Sequence, residues 1–394
     1  MKGVAVTGMG IVSSIGNNLE ETLDSLKKAE NGIDFPEIFK TSHSHLPVGE
    51  IKISDSQFRN LLKISPGQAY TRATMLGVFA IRQILDNTGM KEFSSDTGII
   101  SGTSVGGIDY TERYFHDFEN DPEKRKFIQT QHPGFSTEMI AAYFGLKDFV
   151  STISTACSSS ANAIMMGARM IESGKLKRVI VGGSDCLTKF TLNGFNSLMI
   201  LSDNKCKPFD EGRDGLNLGE AAAYILLEAE DCIDDKKVIG RVAGYGNAND
   251  AFHQTASSEN GEGAFLAIFK AMKKAGISPQ DIDYINAHGT GTKNNDLSES
   301  IAMKRAFGTK IPDFSSTKAF TGHTLGAAGA VEAVFSLLSL QEQEIFPNLN
   351  FEKRMDDTAL MPVTQPKKKK LNSILSNSFG FGGNCTSLIF QKDE

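Results

Sequence analysis

The chain has no tryptophan among its 394 residues and only five cysteines, at 157, 186, 206, 232 and 385. An odd count without any CxxC pair excludes a disulfide framework of the secreted type and a spaced zinc site, so the expectation is a reduced, cytoplasmic chain. Long apolar runs are missing too: no stretch approaches the roughly 20 residues that a membrane-spanning helix needs. The opening "MKGVAVTGMGIV" sets one lysine before a short, glycine-broken run with no small-residue cleavage site, and reads as a buried first strand. Nucleotide signatures are scarce. No GxxxxGK[ST] occurs, and "GMGIVS" (8–13) puts Ser13 where a dinucleotide fingerprint needs its third glycine, so neither an ATP nor a nicotinamide site is expected. An excess of basic charge is also absent. The net charge of −6 argues against non-specific nucleic-acid binding.

What is present is ordinary for a globular protein: 40% apolar and 22% charged residues, in a chain long enough for a large core and two or three domains. Short runs rich in Val and Ile read as strands: "VAVTG" (4–8), "TGIISG" (97–102), "RVIVGG" (178–183), "AAYILLE" (222–228), "DYINAHG" (283–289) and "SILSNSFG" (373–380). Helical patterns at 157–173, 263–275, 296–307 and 326–342 alternate with them, which predicts a layered α/β fold. No Pro- or Ser-rich linker divides the chain. The charged stretch "EAEDCIDDKK" (228–237) is the expected seam, giving halves 1–235 and 236–394. "KKKK" (367–370) reads as a solvated turn before the last strand.

One cysteine stands in an unusual setting. "STACSSSANAI" (154–164) places Cys157 among hydroxyls and alanines where a helix is expected to start, with Thr155 or Ser154 as its cap. A lone cysteine is more often a buried structural residue, but a helix N-terminus favours the thiolate through its unpaired N–H groups. The segment has an echo: "STACSSSANAIMMGARMIE" matches "FTGHTLGAAGAVEAVFSLL" (320–338), each with Thr-x-(Cys/His) before a helix with a small-residue face. If a pseudo-twofold axis relates the halves, those helices meet at the centre, with Cys157 and His323 at comparable ends.

Three more segments, "NAHGTGT" (286–292), "SSTKAFTGHTLGAAGA" (315–330) and "NSFGFGGN" (377–384), set an ionisable or polar group at a strand end before small residues, the pattern of loops that approach a ligand closely. With "VAVTGMGIVSSIG" and "KPFDEGRDGLNLGEAAA" (207–223), they resemble the β-ketoacyl-acyl carrier protein synthases, elongating condensing enzymes of the thiolase superfamily, over nearly the whole chain. The resemblance implies a thiolase-like α/β fold: two pseudo-twofold-related αβαβα halves in five layers. It also implies a dimer, of identical chains or with a paralogous ketosynthase-like subunit, and an acyl carrier protein as partner, loaded with acyl or malonyl groups. The reaction it implies is decarboxylative Claisen condensation of malonyl-carrier with an acyl chain held on Cys157.

Roles follow from the same resemblance. Cys157 matches the nucleophile, His288 and His323 the pair that serves malonyl decarboxylation, Lys318 the lysine that supports one histidine, and Glu299 an acid ordering that network. Phe381 matches the gate beside the cysteine, with Phe379 next to it, and the backbone N–H groups of Phe381 and Cys157 would form the oxyanion hole. Thr290 and Thr292 sit where the family holds the pantetheine arm. Val105 in "GTSVGG" matches a position that narrows the acyl tunnel, which "QTQHPGFSTEM" (129–139) would line from the other subunit. Lys205, Lys207 and Arg213, joined by Arg59, Lys63 and Arg72, form the expected docking patch for an acidic carrier. Lys318 also has a structural reading, as a buried cation paired with Glu299. No metal or organic cofactor is called for, because thiolate, imidazole N–H and backbone N–H groups supply the chemistry.

Departures narrow the assignment. Most relatives read "GFGGTN" where this chain has "GFGGNC", with Asn384 and Cys385; "GEAA" (219–222) replaces "GEGA", and Ser160 stands where glycine or alanine is common. The leading reading is a synthase of fatty-acid elongation or a related specialised pathway. The alternative is a ketosynthase of an aryl-polyene or polyketide-type pigment pathway, since specialised condensing enzymes diverge in such places. A non-catalytic chain-length-factor-like subunit would lack Cys157. A thiolase would use a second cysteine, for which Cys385 is the candidate, and chalcone-synthase-type enzymes carry asparagine in place of His323.

Overall fold

The computed structural model describes residues 3–233 and 235–393; Asp234, inside the expected seam, lies outside the described residues. Ten strands form the main sheet: Val4–Ser13 (β1), Thr97–Gly102 (β2), Val150–Ile153 (β3), Arg178–Asp185 (β4), Ala221–Glu228 (β5), Gly240–Asn249 (β6), Tyr284–Asn286 (β7), Asp313–Ser315 (β8), Ser373–Phe379 (β9) and Asn384–Gln391 (β10). Read outward from the centre, the first half runs β1-β5-β4-β2-β3 and the second β6-β10-β9-β7-β8. It is one path taken twice. Directions repeat as well: the two inner pairings of each half are antiparallel and the two outer ones parallel.

The halves are not separate sheets. Val4, Ala5 and Val6 of β1 pair antiparallel with Val242, Arg241 and Gly240 of β6, so hydrogen bonding runs unbroken across the molecule. Burial explains the composition of the inner strands. All residues of β1 and β5 are buried, which suits near-continuous apolar and small residues rather than strict alternation.

Helices cover both faces. Arg72–Thr88 (α1) packs on β1 and β5, while Glu262–Ala275 (α3) packs on β6 and β10 and is backed by Lys293–Phe307 (α4). Between the half-sheets lie Ser159–Glu172 (α2), against β4 and β2, and Ala328–Glu342 (α5), against β5 and β9. The layers therefore run helix, sheet, helices, sheet, helices.

The two central helices touch, as the internal repeat predicts. Residues 328–340 of α5 are all buried, so it is apolar or small on nearly every side. Gly329 allows the contact: a Cβ there would fall 2.7 Å from Ala161 Cβ and 2.8 Å from Ala161 N. Nearby, the Ala330 N–H donates to Ser160 Oγ at 2.9 Å.

Several local expectations are corrected. The helix after Cys157 starts at Ser159; its N-cap is Ser158, with no capping side chain, so neither Thr155 nor Ser154 caps it. "KKKK" is solvated, as expected, but it is not a turn: Lys367–Lys368 pair as a short strand with Glu344–Ile345, and Lys367 and Lys369 bind Asp313. That run leads into β9, and β10 is the last strand. No helix among the described residues is long and apolar enough to cross a membrane.

Candidate active site

Cys157 follows a strained turn. Ala156 holds φ +52°, a left-handed conformation costly for a residue with a Cβ. Ser159 over-determines it: its hydroxyl accepts from the Thr155 N–H at 2.9 Å and donates to Ala156 O at 2.6 Å. The thiol is only 5% exposed and lines a cavity of about 480 Å³, shared with His288, His323, Phe379 and Phe381. Burial pushes the thiol pKa up to about 12, opposed by the Lys318 charge and by the Phe381 backbone N–H, which donates to it.

His288 lies just beyond β7. Its backbone N–H and that of Gly289 donate to the two oxygens of Glu299 on α4, at 2.9 and 2.8 Å, and Asn377 Nδ2 holds Oε1 at 3.1 Å. Burial raises the Glu299 carboxyl to about 7 against those three donors. Glu299 thus orders the loop, but it does not pair with Lys318.

The partner of Lys318 is Glu332, a residue of α5 that the sequence reading missed. Both side chains are nearly fully buried. Lys318 Nζ also reaches His288 O at 2.5 Å and His288 Nδ1 at 3.1 Å. An ammonium has no lone pair, so Nδ1 accepts and the ring proton sits on Nε2. His323 is held through its backbone, donating to Asn217 O at 2.7 Å and accepting from the Gly219 N–H at 3.0 Å. The two rings stand edge to face, 5.4 Å between centroids. Burial, with the Lys318 charge, drives both imidazoles well below their usual pKa, so each is neutral near pH 7.

The loop between β9 and β10 closes the site. A Cβ on Gly380 would meet Thr155 O at 2.7 Å and Cys157 N at 3.2 Å, so only glycine lets this loop lie against the nucleophile turn. The Phe381 ring stacks on Phe195 at 5.6 Å, and Phe379 lies 5.6 Å from the His288 ring. Thr290 and Thr292 line the cavity with their hydroxyls 2.8 Å apart. A second unread acid, Asp185, takes the Ser104 and Gly326 N–H groups at 2.8 and 2.7 Å and is raised to about 6 by burial.

Val105 does not line this cavity, and within the segment 129–139 Thr130 O accepts from the Gly107 N–H; neither observation bears on a tunnel shared with a second subunit. The basic patch is corrected. Arg213 is 6% exposed and donates to Asp210 O and Lys293 O; Arg72 is buried against Glu220. Lys207 is paired with Glu352, and Arg59 is spent on the carbonyls of Ser65, Gln68 and Tyr70. Of the six, only Lys205 and Lys63 stand exposed with no ion pair among the described residues.

The β-ketoacyl synthase N-terminal domain family matches residues 1–231, and the C-terminal domain family residues 239–352. The chain belongs to the β-ketoacyl synthase family. This synthase is 32% identical to 3-oxoacyl-[acyl-carrier-protein] synthase 2 of Staphylococcus aureus (strain COL), covering 100% of this chain and 99% of that one. It is 34% identical to the enzyme of the same name from Vibrio harveyi, over 99% and 98% of the two chains. Among solved structures, it resembles a ketosynthase in complex with its chain length factor from Xenorhabdus doucetiae, with TM-score 0.85 and 32% identity over 100% and 98% of the chains. The ishigamide ketosynthase/chain length factor gives TM-score 0.93 and 27% identity over 100% of both. The synthase is therefore a condensing enzyme of thiolase-like fold.

Proposed function

We propose that this synthase joins a malonyl unit to an acyl chain held as a thioester on Cys157. The observation that carries the reading is a single cavity lined by Cys157, His288 and His323, with the Phe381 N–H on the thiol. In the first half-reaction, a neutral imidazole takes the thiol proton and the thiolate attacks the carbonyl of a carrier-bound acyl thioester. The carbonyl–sulfur bond to the carrier breaks, and the carrier thiol leaves with a proton. In the second, the malonyl carboxylate departs as carbon dioxide and its bonding pair forms an enolate. The enolate oxygen sits on imidazole N–H donors, His288 Nε2–H among them. The enolate carbon then attacks the acyl carbonyl, the N–H groups of Cys157 and Phe381 hold the oxyanion, and collapse expels the Cys157 thiolate. Incubation with an acyl carrier thioester should add one acyl group by intact mass, lost in Cys157→Ala. Acylation at Cys385 instead would overturn the assignment.

On the same reading the enzyme serves an aryl-polyene or polyketide-type pathway, the alternative expected from the sequence, rather than the leading expectation of fatty-acid elongation or a related specialised pathway. Support comes from its likeness, over its whole length, to ketosynthases described together with a chain length factor. The expected partners are then an acyl carrier protein and a paralogous chain-length-factor-like subunit, with Cys157 marking this chain as the catalytic one. A primer profile tests the pathway. Preference for rigid polyunsaturated or aryl-capped primers supports it, and preference for saturated chains returns the enzyme to fatty-acid elongation.

A further inference from the structure

Behind Cys157 lies a polar cluster that the proposed chemistry does not use. The side-chain oxygen of Asn384, the first residue of β10, receives Thr386 Oγ1 of its own strand at 3.4 Å and three donors from other elements: Ser158 Oγ at 2.8 Å, Asn162 Nδ2 at 2.9 Å and Asn247 Nδ2 at 2.9 Å. These come from the nucleophile turn, from α2 and from β6. The donors are tied to one another. Asn162 Nδ2 also reaches Thr155 Oγ1 at 2.9 Å, Asn247 Nδ2 reaches Thr386 Oγ1 at 2.9 Å, and Thr386 donates to Asn162 Oδ1 at 2.8 Å. An amide oxygen has two lone pairs, so this acceptor is saturated. Asn384 also closes the neighbouring loop through its backbone, where its carbonyl accepts the Gly380 N–H at 2.8 Å.

Between those two anchors lie Gly382 and Gly383, both left-handed, at φ +81° and +80°. Glycines do not hold such a loop by themselves; its ends must. One end is Gly380 against the Cys157 backbone, and the other is Asn384, which accepts from Ser158 next to Cys157, a hydroxyl whose one proton is shared with Thr155 O at 2.8 Å. One side chain therefore ties the turn carrying the Cys157 N–H to the loop carrying the Phe381 N–H.

We propose that Asn384 is a positioning residue that sets the spacing between the Cys157 and Phe381 N–H groups. The inference rests on the oxyanion role given to those groups above. Such donors act within a few tenths of an ångström of about 2.9 Å, and a misplacement of about 1 Å costs on the order of a hundredfold in rate. Asn384 itself touches no reacting atom.

The test separates oxyanion chemistry from access to the thiol. Alkylation of Cys157 by iodoacetamide forms no oxyanion, whereas acylation by an acyl carrier thioester does. In Asn384→Ala, single-turnover acylation should fall ~10- to 100-fold with KM within about twofold and alkylation within about threefold of the parent. Asn384→Asp keeps the acceptor oxygen and should restore acylation to within about fivefold of the parent. Because Asn384→Ala removes a structural node, Ser158→Ala, which deletes one hydroxyl, is measured alongside, with an expected loss of ~3- to 10-fold in acylation. The double variant should be no more than about threefold slower than Asn384→Ala, since the tie from Ser158 to the loop runs through Asn384 and its other bond, to Thr155 O, stays within the nucleophile turn. Normal acylation in both single variants, or acylation and alkylation falling together, overturns the proposal; an Asn384→Asp variant as slow as Asn384→Ala overturns the role of the oxygen. A parent enzyme that never acylates Cys157 overturns instead the functional reading beneath it.

Discussion

Lys318 and Glu332 form an ion pair at the centre of the molecule, and the same ammonium holds Nδ1 of His288 at 3.1 Å. One cation thus fixes a ring tautomer and neutralises a carboxylate that burial would otherwise protonate. Truncating either partner strands the other charge. Glu332→Ala should destabilise the fold by about 3–5 kcal/mol, while Lys318→Met with Glu332→Leu should cost less than either single change. Urea unfolding at constant protein concentration measures both. Equal stability of Glu332→Ala and parent would show that the pair is not load-sharing.

The histidines should separate the half-reactions. In the mechanism proposed above, His288→Ala and His323→Ala each remove a neutral donor from the enolate but leave Cys157 and the two backbone N–H groups in place. Carbon dioxide release from malonyl carrier should drop about a hundredfold or more, equivalent to about 3 kcal/mol, with residual acyl transfer retained. Normal release in both variants would remove the histidines from decarboxylation.

Buried neutral imidazoles also set the acid limit. Both folded-state pKa values lie well below 6.5, so below that pH the unfolded chain binds protons that the folded one refuses. Their contribution is fully present above pH 6.5 and is lost as pH falls, at up to about 1.4 kcal/mol per unit for each histidine. A His288→Gln/His323→Gln variant should lose less stability than the parent between pH 7 and pH 5 in urea titrations. Parallel losses would show that the rings are not held neutral.

Close packing of the central helices yields a steric prediction. Gly329→Ala drives a methyl to 2.8 Å from a backbone nitrogen of α2, which no side-chain rotation relieves. The melting temperature should fall, corresponding to roughly 1–3 kcal/mol. An unchanged melting temperature would mean that the helices move apart freely.

Much of this is legible in the sequence. The near-continuous Val- and Ile-rich runs mark the inner strands because those strands are buried on both faces, and Thr-x-(Cys/His) before small residues locates the two central helices. Cys157, His288, Lys318 and His323 come together as their motifs imply. What stayed hidden follows physical lines. Glu332 sits in "GAVEAVF", where a single acid in a buried helix was the available signal, yet nothing local names its cation. β6, "GRVAGYGNAN", is rich in glycine and asparagine because α3 presses on it at Gly244 and Gly246, so its composition reads as loop. The basic residues around "KPFDEGR" misled because charge in a sequence does not reveal burial: Arg213 and Arg72 are spent inside.

The repeated path of the sheet has a consequence for synthesis of the protein. Cys157 comes from the first pass, while His288, Lys318, His323 and Phe381 all come from the second. On the ribosome, the thiol is translated and its half of the sheet can form long before any group that would activate it exists. The loop bearing Phe381 emerges only ahead of β10, the strand that joins the second half to its centre. In the mechanism proposed above, the nucleophile is thus the first of the reacting groups to be translated and the Phe381 loop the last.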